Sequence, residues 1–535
     1  MTGTITGEVV AANRPHKPTT GKVSSMKTSL SKRQRKPFGG ATAIHLLTAA
    51  LAFAALSVRA DPPKQDLDHK LREKIEHIIV IYQENWSFDS LYGQYPGANG
   101  FADAFDTLPQ RDKSTGYLTY IYQTPQPLNG GTDNRFPPAN GQAALPLIPY
   151  DLTQYVTNNQ TTGDIIHRFY HQQLQIDNGV LEPKNGSLDK YVTWSDNPGL
   201  VLSYIDATNL PEGKLAQEYT LCDNFFHSAY GGSFLNHQFL VAAAAPRWNQ
   251  PIPAGFQSSW NPTTRALSDG NLTLDGAYVV NTTYGAQAPH PVTATNKLLL
   301  PINNTDPTKT DYVPTIGNRL DDAGVSWKWY SGGWNNAINN NADPLFQYHH
   351  QPFAYFSKYA PFKADGTLNP ATTGPAAHLQ DEQVFLTDVQ QGTLPAVSFI
   401  KPLGPDNEHP GYASLLRGQQ HIADLVNAVK NSKSWKNTVI IITYDDNGGR
   451  WDHVTPPIVD AWGVGSRVPT IVISPFTKGG NVDGTQLETV SILKLIERRY
   501  RLAPLSARDA NPAVNDLTQV FDFAHDKDED HDGHH

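Results

Sequence analysis

Two apolar runs far apart in the chain each break off on oxygen-bearing side chains. Ile78-Ile79-Val80-Ile81-Tyr82-Gln83 leads into Glu84 and Asn85, and Val439-Ile440-Ile441-Ile442-Thr443-Tyr444 leads into Asp445 and Asp446. Runs so rich in β-branched residues suit parallel strands buried on both faces, and open α/β sheets bind ligands beyond the carboxyl ends of such strands. A fold that lays the runs side by side brings four oxygen donors to one rim. Between them in sequence, Gly231-Gly232-Ser233-Phe234-Leu235-Asn236-His237 offers a hydroxyl in a glycine turn. The expected assembly is a hard-cation site with a nucleophile beside it.

The rest of the chain alternates in a way that fits such a sheet. Residues 75–82 read as the first strand, 162–176 as a helix carrying His167 and His171, and Phe239 to Ala245 as a small-residue helix against the sheet. Val325 to Tyr330, Ala396 to Lys401 and Val468 to Ser474 are further strand candidates. Ile422, Leu425, Val426 and Val429 mark one face of a helix, and Ile492 to Ile496 open a last one. The pattern predicts a layered α/β domain. Residues 246–314, rich in Asn, Thr, Pro and Gly, read as a loop-rich insertion placed to roof a pocket.

The chain has 535 residues, 39% of them hydrophobic and 10% aromatic, enough for a sizeable core. A net charge of −9 gives no basic footprint and argues against a nucleic-acid partner. A single cysteine, Cys222, excludes an intramolecular disulfide. Lys27, Lys32, Arg33, Arg35 and Lys36 precede the apolar segment Ala41 to Val58 and the small-residue end at Ala60, which is the pattern of a signal peptide. We therefore expect residues 1–60 to be an N-terminal extension plus leader and the protein to be secreted or periplasmic, with no membrane span after cleavage; an uncleaved anchor is the competing reading. The catalytic domain is expected over 65–520, and the acidic, histidine-rich end, 521–535, as a disordered tail.

Adjacent carboxylates such as Asp445 and Asp446 repel at a sheet rim unless a cation neutralises them. Oxygen ligands without thiolates favour Ca²⁺, Mg²⁺ or Mn²⁺, although carboxylates also hold zinc. One such ion beside Ser233 lowers the hydroxyl pKa and draws charge from a phosphoryl oxygen. Ester hydrolysis also needs a proton for the leaving alkoxide. The candidate donors are His167, His237, the pair His349-His350, His409 and His453.

The segments Gln83-Glu84-Asn85-Trp86-Ser87-Phe88-Asp89, Thr443-Tyr444-Asp445-Asp446-Asn447-Gly448-Gly449 and Asp452-His453-Val454-Thr455-Pro456-Pro457 resemble the bacterial phosphoesterase family that joins phospholipases C with respiratory-burst-inhibiting acid phosphatases. The resemblance spans roughly residues 75–505. It implies an alkaline-phosphatase-like three-layer α/β domain, a central, mostly parallel sheet with helices on both faces, in which Glu84, Asn85, Asp445 and Asp446 ligate one divalent ion and Ser233 is the nucleophile. His167, His350 and His409 would line the phosphate pocket, with His350 and His409 catalytic and Asn236, His237 and His349 beside the substrate. The phospholipase C branch carries threonine followed by a proline-asparagine-arginine stretch where this chain has Ser233-Phe234-Leu235-Asn236-His237, so the resemblance is nearer the acid phosphatases. What it implies is a phosphomonoesterase acting through a phosphoserine, with an acidic optimum if imidazolium groups are needed. A phospholipase C and a non-catalytic exported metal-binding protein are the rivals. The expected partners are small phosphate esters, phospholipid among them.

Overall fold

The computed structural model describes residues 64–524, apart from 106, 114–115, 138–144, 178–185, 249, 288, 295–296 and 298. The expected leader and most of the expected acidic tail lie outside the described residues.

Eight strands form the central sheet: β1 (His77–Gln83), β2 (Thr220–Cys222), β3 (Trp327–Ser331), β4 (Leu379–Asp381), β5 (Val397–Lys401), β6 (Thr438–Tyr444), β7 (Thr470–Ile473) and β8 (Asn481–Asp483). Their order is β8-β2-β7-β6-β1-β5-β3-β4. Every pairing is parallel except those that β7 makes with β6 and β2. β5 and β6 are buried along their whole length and β1 from Ile78 onward, as continuous apolar runs require when helices cover both faces. In the register, Gln83 pairs with Tyr444, so one step further Glu84 stands level with Asp445. The two runs that end on oxygen donors are therefore neighbouring central strands.

Among the described residues ten helices surround the sheet: α1 (Lys64–Lys74), α2 (Phe88–Tyr92), α3 (Phe169–Ile176), α4 (Pro211–Glu218), α5 (Ser233–Ala242), α6 (Ile316–Asp322), α7 (Trp334–Ile338), α8 (Glu382–Gln391), α9 (Leu415–Lys430) and α10 (Thr489–Tyr500). α4, α8 and α9 pack together on one face, and α1, α5, α6 and α10 on the other. α9 owes its seat to a stripe of Leu415, Ile422, Leu425, Val426 and Val429. α5 is buried at every residue, as a helix wedged between sheet and neighbours must be. No helix among the described residues is long and apolar enough to cross a membrane.

Two local expectations need correction. Residues 162–168 are irregular rather than helical, and α3 starts at Phe169. Asp196 accepts from the Ile166 N–H at 2.8 Å and Asn197 donates to the Asp164 carbonyl at 3.0 Å, which diverts those backbone groups from an intrahelical ladder. The helix expected from Phe239 begins six residues earlier, at Ser233 itself. Between 246 and 314 the structure holds a short hairpin, Ser259–Asn261 with Ala266–Ser268, amid irregular chain. There the Asn281 carbonyl accepts from the Phe234 N–H at 2.9 Å, at the start of α5.

Candidate metal and nucleophile site

Each of the four predicted oxygen donors is fully buried at the rim. Three of their atoms, Asn85 Oδ1, Asp445 Oδ2 and Asp446 Oδ2, have no hydrogen-bond partner. A buried polar atom left unpaired costs about 1–3 kcal/mol, and more when charged. Burial, then the charges of Asp446 and Glu84, push the Asp445 carboxyl well above the usual carboxylate range; burial and the charge of Glu84 do the same to Asp446. Orphaned oxygens on mutually repelling carboxylates form a donor set that fits a hard cation.

One cation at this rim is already part of the chain. Lys401, the last residue of β5, is buried and places Nζ 2.5 Å from Glu84 Oε1 and 2.9 Å from the Tyr82 carbonyl. Three carboxylates (Glu84, Asp445, Asp446) against one ammonium leave two negative charges, the complement of a single divalent ion. Glu84, His237 and His350 also gather closely enough to hold a metal. There, however, Lys401 sits on the Glu84 oxygen that the imidazoles face, so its charge opposes a second cation.

Ser233 is the first residue of α5 and is 2% exposed. Its hydroxyl donates to Glu84 Oε2 at 3.1 Å. The turn ahead of it needs glycine: Gly231 has φ +90°, and a Cβ there would stand 2.5 Å from the Phe169 nitrogen. The positive end of the helix backbone favours an oxyanion at this position. Asn236, expected beside the substrate, is turned into the loop instead. Its Oδ1 accepts from the Ala229 N–H at 3.0 Å, and its Nδ2 donates to the carbonyls of Ala229, Gly231 and Gly232 at 3.1–3.3 Å. It shapes the turn that presents Ser233.

The histidines divide into two groups. His237 donates from Nδ1 to the Ser233 carbonyl at 2.7 Å, stacks on His350 at 4.9 Å and faces Glu84 Oε1 with Nε2 at 3.9 Å. His350 Nε2 lies 3.3 Å from the same oxygen, and His349 stands edge-on to His350 at 4.2 Å. Burial holds all three imidazoles below their ordinary value, His349 at about 3. Burial thus disfavours the imidazolium form of all three at the rim. The second group sits toward the opening. His167 accepts from Asn85 Nδ2 at 3.2 Å and donates Nδ1–H to the Ile165 carbonyl at 2.5 Å. His409, whose Nδ1–H is held by the Pro410 carbonyl at 2.5 Å, lies with its ring 6.2 Å from that of His167 and stacks on Tyr412. Asp164, missed in the sequence, groups with these two within metal-ligand spacing and is partly exposed.

A profile described as "Phosphoesterase family" matches residues 75–503. The chain belongs to the phosphoesterase family. It is 26% identical over 502 residues to a non-hemolytic phospholipase C of Burkholderia pseudomallei, an alignment covering 84% of this chain and 59% of that protein. It is 27% identical over 484 residues to phospholipase C B of Mycobacterium tuberculosis, covering 84% of this chain and 78% of that one. The chain thus spans 59% of the length of the Burkholderia relative. Among solved structures, a protein in the alkaline phosphatase superfamily from Vibrio parahaemolyticus overlaps with a TM-score of 0.29 and 10% identity, covering 58% of this chain and 63% of that one.

Of the candidate donors His453 lies outside this cluster, and so does His171. His171 is half-buried 3.4 Å from Asp269. His453 donates to Asp89 at 2.7 Å beside Arg467, which bonds Asp89 and Asp452 at 2.9 Å each and donates to the carbonyls of Asn99 and Asp223. Asp89, Asp452 and His453 have metal-like spacing, yet the Arg467 guanidinium neutralises them. The segment that shares in the family resemblance is here a clamp between α2 and the approach to β7.

Proposed function

We propose that the protein is an exported, metal-dependent hydrolase of phosphoric monoesters that works through a phosphoserine at Ser233. The observation that carries this reading is the Ser233 hydroxyl 3.1 Å from Glu84, at a rim with three orphaned oxygens. Glu84, Asn85, Asp445 and Asp446 would hold one divalent ion, which when bound supplies positive charge against the serine oxygen and the phosphoryl oxygens. The residues of the chain do the rest. Ser233 Oγ forms a bond to phosphorus while the bond to the ester oxygen breaks in line, and its hydroxyl proton points at Glu84 Oε2. The N–H groups of His349 and His350 and the start of α5 offer donors to the phosphoryl oxygens. His409, nearest the opening, delivers the proton to the departing alkoxide, its ring held in place by the Pro410 carbonyl and Tyr412. Water then displaces the serine oxygen and releases phosphate.

Serine in place of the threonine stretch of the phospholipase C branch favours monoesters. The relatives named phospholipase C make phosphodiesters the second reading. Purified protein assayed on p-nitrophenyl phosphate and on phosphatidylcholine, with metal analysis, separates the two. Ser233→Ala should abolish turnover without changing the melting transition, and acid quenching of the native enzyme should leave phosphate on the Ser233 peptide. Undiminished turnover in that variant rejects the mechanism; metal binding without hydrolysis of either substrate leaves the non-catalytic reading.

A further inference from the structure

Behind the rim, on the α4/α9 side of the sheet, a fully buried acidic pair takes no part in the chemistry above. Glu408 immediately precedes His409, Gln83 precedes Glu84, and Tyr444 precedes Asp445. These three preceding residues are bonded to one another: Gln83 Nε2 donates to Glu408 Oε1 at 2.8 Å, and Tyr444 OH donates to Glu408 Oε2 at 2.6 Å. Because side chains alternate across a strand, the hub faces one side of the sheet while the site residues face the other.

We propose that Glu408 is a positioning residue that fixes the elements carrying Glu84, Asp445 and His409 relative to one another. The inference rests on the hydrolase reading for the role of His409. Its own support is independent of that chemistry. Glu408 adopts φ +69°, a left-handed conformation that a side-chain-bearing residue keeps only when its surroundings enforce it. The surroundings do so on every side. Trp86 Nε1 donates to the Glu408 carbonyl at 3.1 Å, the Glu84 N–H donates to the Asn407 carbonyl at 3.0 Å, and the His409 N–H donates to Asn407 Oδ1 at 3.0 Å. From α9, Gly418 lies so near that a Cβ on it would stand 2.2 Å from Glu408 Cγ and 3.0 Å from its nitrogen. A helix interior gives up about 1 kcal/mol by holding glycine rather than alanine, and here the gap admits the Glu408 stem.

The carboxyl accepts from Gln83 of β1 and Tyr444 of β6, and the same Tyr444 hydroxyl lies 3.1 Å from Glu212 of α4, with Tyr92 and Gln419 buried nearby. None of these is a cation. Burial raises Glu408 to about 7 and Glu212 well above its ordinary value, so the facing carboxyls keep a proton that joins them. Sharing that proton, the two carboxyls hold three elements in one geometry while carrying one negative charge between them rather than two.

The test compares Glu408→Ala, Glu408→Gln and Gly418→Ala with the native protein, loaded with Mg²⁺, Mn²⁺, Ca²⁺ or Zn²⁺, whichever metal analysis finds. Displacing the supports of bound or reacting groups costs about 100-fold in kcat and about 10- to 100-fold in metal affinity. Glu408→Ala should lose both while KM stays within about threefold. Glu408→Gln, which keeps a neutral oxygen and amide at the same reach, should recover most of both. Gly418→Ala, which pushes on Glu408 from the helix, should move the same quantities in the same direction, and it stands in should Glu408→Ala fail to fold. Native kcat and native cation affinity in Glu408→Ala or Gly418→Ala, with only the melting temperature lowered, overturn the proposal. If the native protein hydrolyses neither substrate, the hydrolase reading fails on its own, and calorimetric cation titration of the variants still decides whether the hub sets the rim.

Discussion

At the scale of single residues, Lys401 shows how a buried cluster of like charge is made tolerable. Its ammonium is the protein's own counter-ion to Glu84, and it turns the other oxygen of that carboxylate toward Ser233. Lys401→Met should destabilise the protein by about 3–5 kcal/mol, because one partner of a buried pair is left uncompensated. Saturating divalent cation should recover more of that loss than it adds to the native protein; scanning calorimetry with chelator and with metal measures both. Glu84, Asn85, Asp445, Asp446 and Ser233 were legible in the sequence because polar groups directly after apolar runs, or after paired glycines, stand out. Lys401 was not, since a lysine closing Val397-Ser398-Phe399-Ile400 looks like an ordinary solvated strand end. Glu408 was passed over for a different reason. Its neighbour His409 carried the chemical signal, whereas the contacts with Gln83 and Tyr444 link positions remote in the chain.

At the scale of elements, the start of α5 decides whether Ser233 can act. The polar trio Asn236, His237 and Gln238 interrupts the apolar pattern and hides the first turns of the helix from sequence reading. The structure resolves the conflict for two of the three, giving Asn236 the backbone of Ala229, Gly231 and Gly232 and His237 the Ser233 carbonyl. Gly231→Ala imposes a Cβ on φ +90° and on the Phe169 backbone. It should cost about 1–3 kcal/mol in stability and lower kcat by about 100-fold through displacement of Ser233; denaturant midpoints and steady-state kinetics read the two effects. The clamp of Arg467 on Asp89 and Asp452 belongs to the same scale. Its acidic and histidine members looked like chemistry in the sequence, and only the arginine folded among them assigns them to holding α2.

At the scale of the whole molecule, a layered α/β domain was foreseeable from the alternation of apolar runs and amphipathic stripes, while the helices on both faces came with the family resemblance. The direction of β7 was not foreseeable, because a β-branched run specifies burial and says nothing of polarity. The short strands β4 and β8 offered too few residues to register. Stability as a whole should depend on pH through Glu212 and Glu408. Both bind a proton more tightly folded than unfolded, so their contribution is complete below the ordinary glutamate value of 4.5 and is lost as pH rises toward 7, where Glu408 titrates, and beyond for Glu212. Urea midpoints of the metal-loaded protein should therefore fall from pH 5 to pH 8, and Glu212→Gln should flatten that slope. The reversed strand has a consequence of its own. β6 ends at Tyr444 and β7 starts at Thr470, antiparallel to it, so the chain between them leaves and re-enters the sheet on the same side. A stretch moored at both ends along one shore can be lengthened, trimmed or grafted from a cousin without rethreading the scaffold.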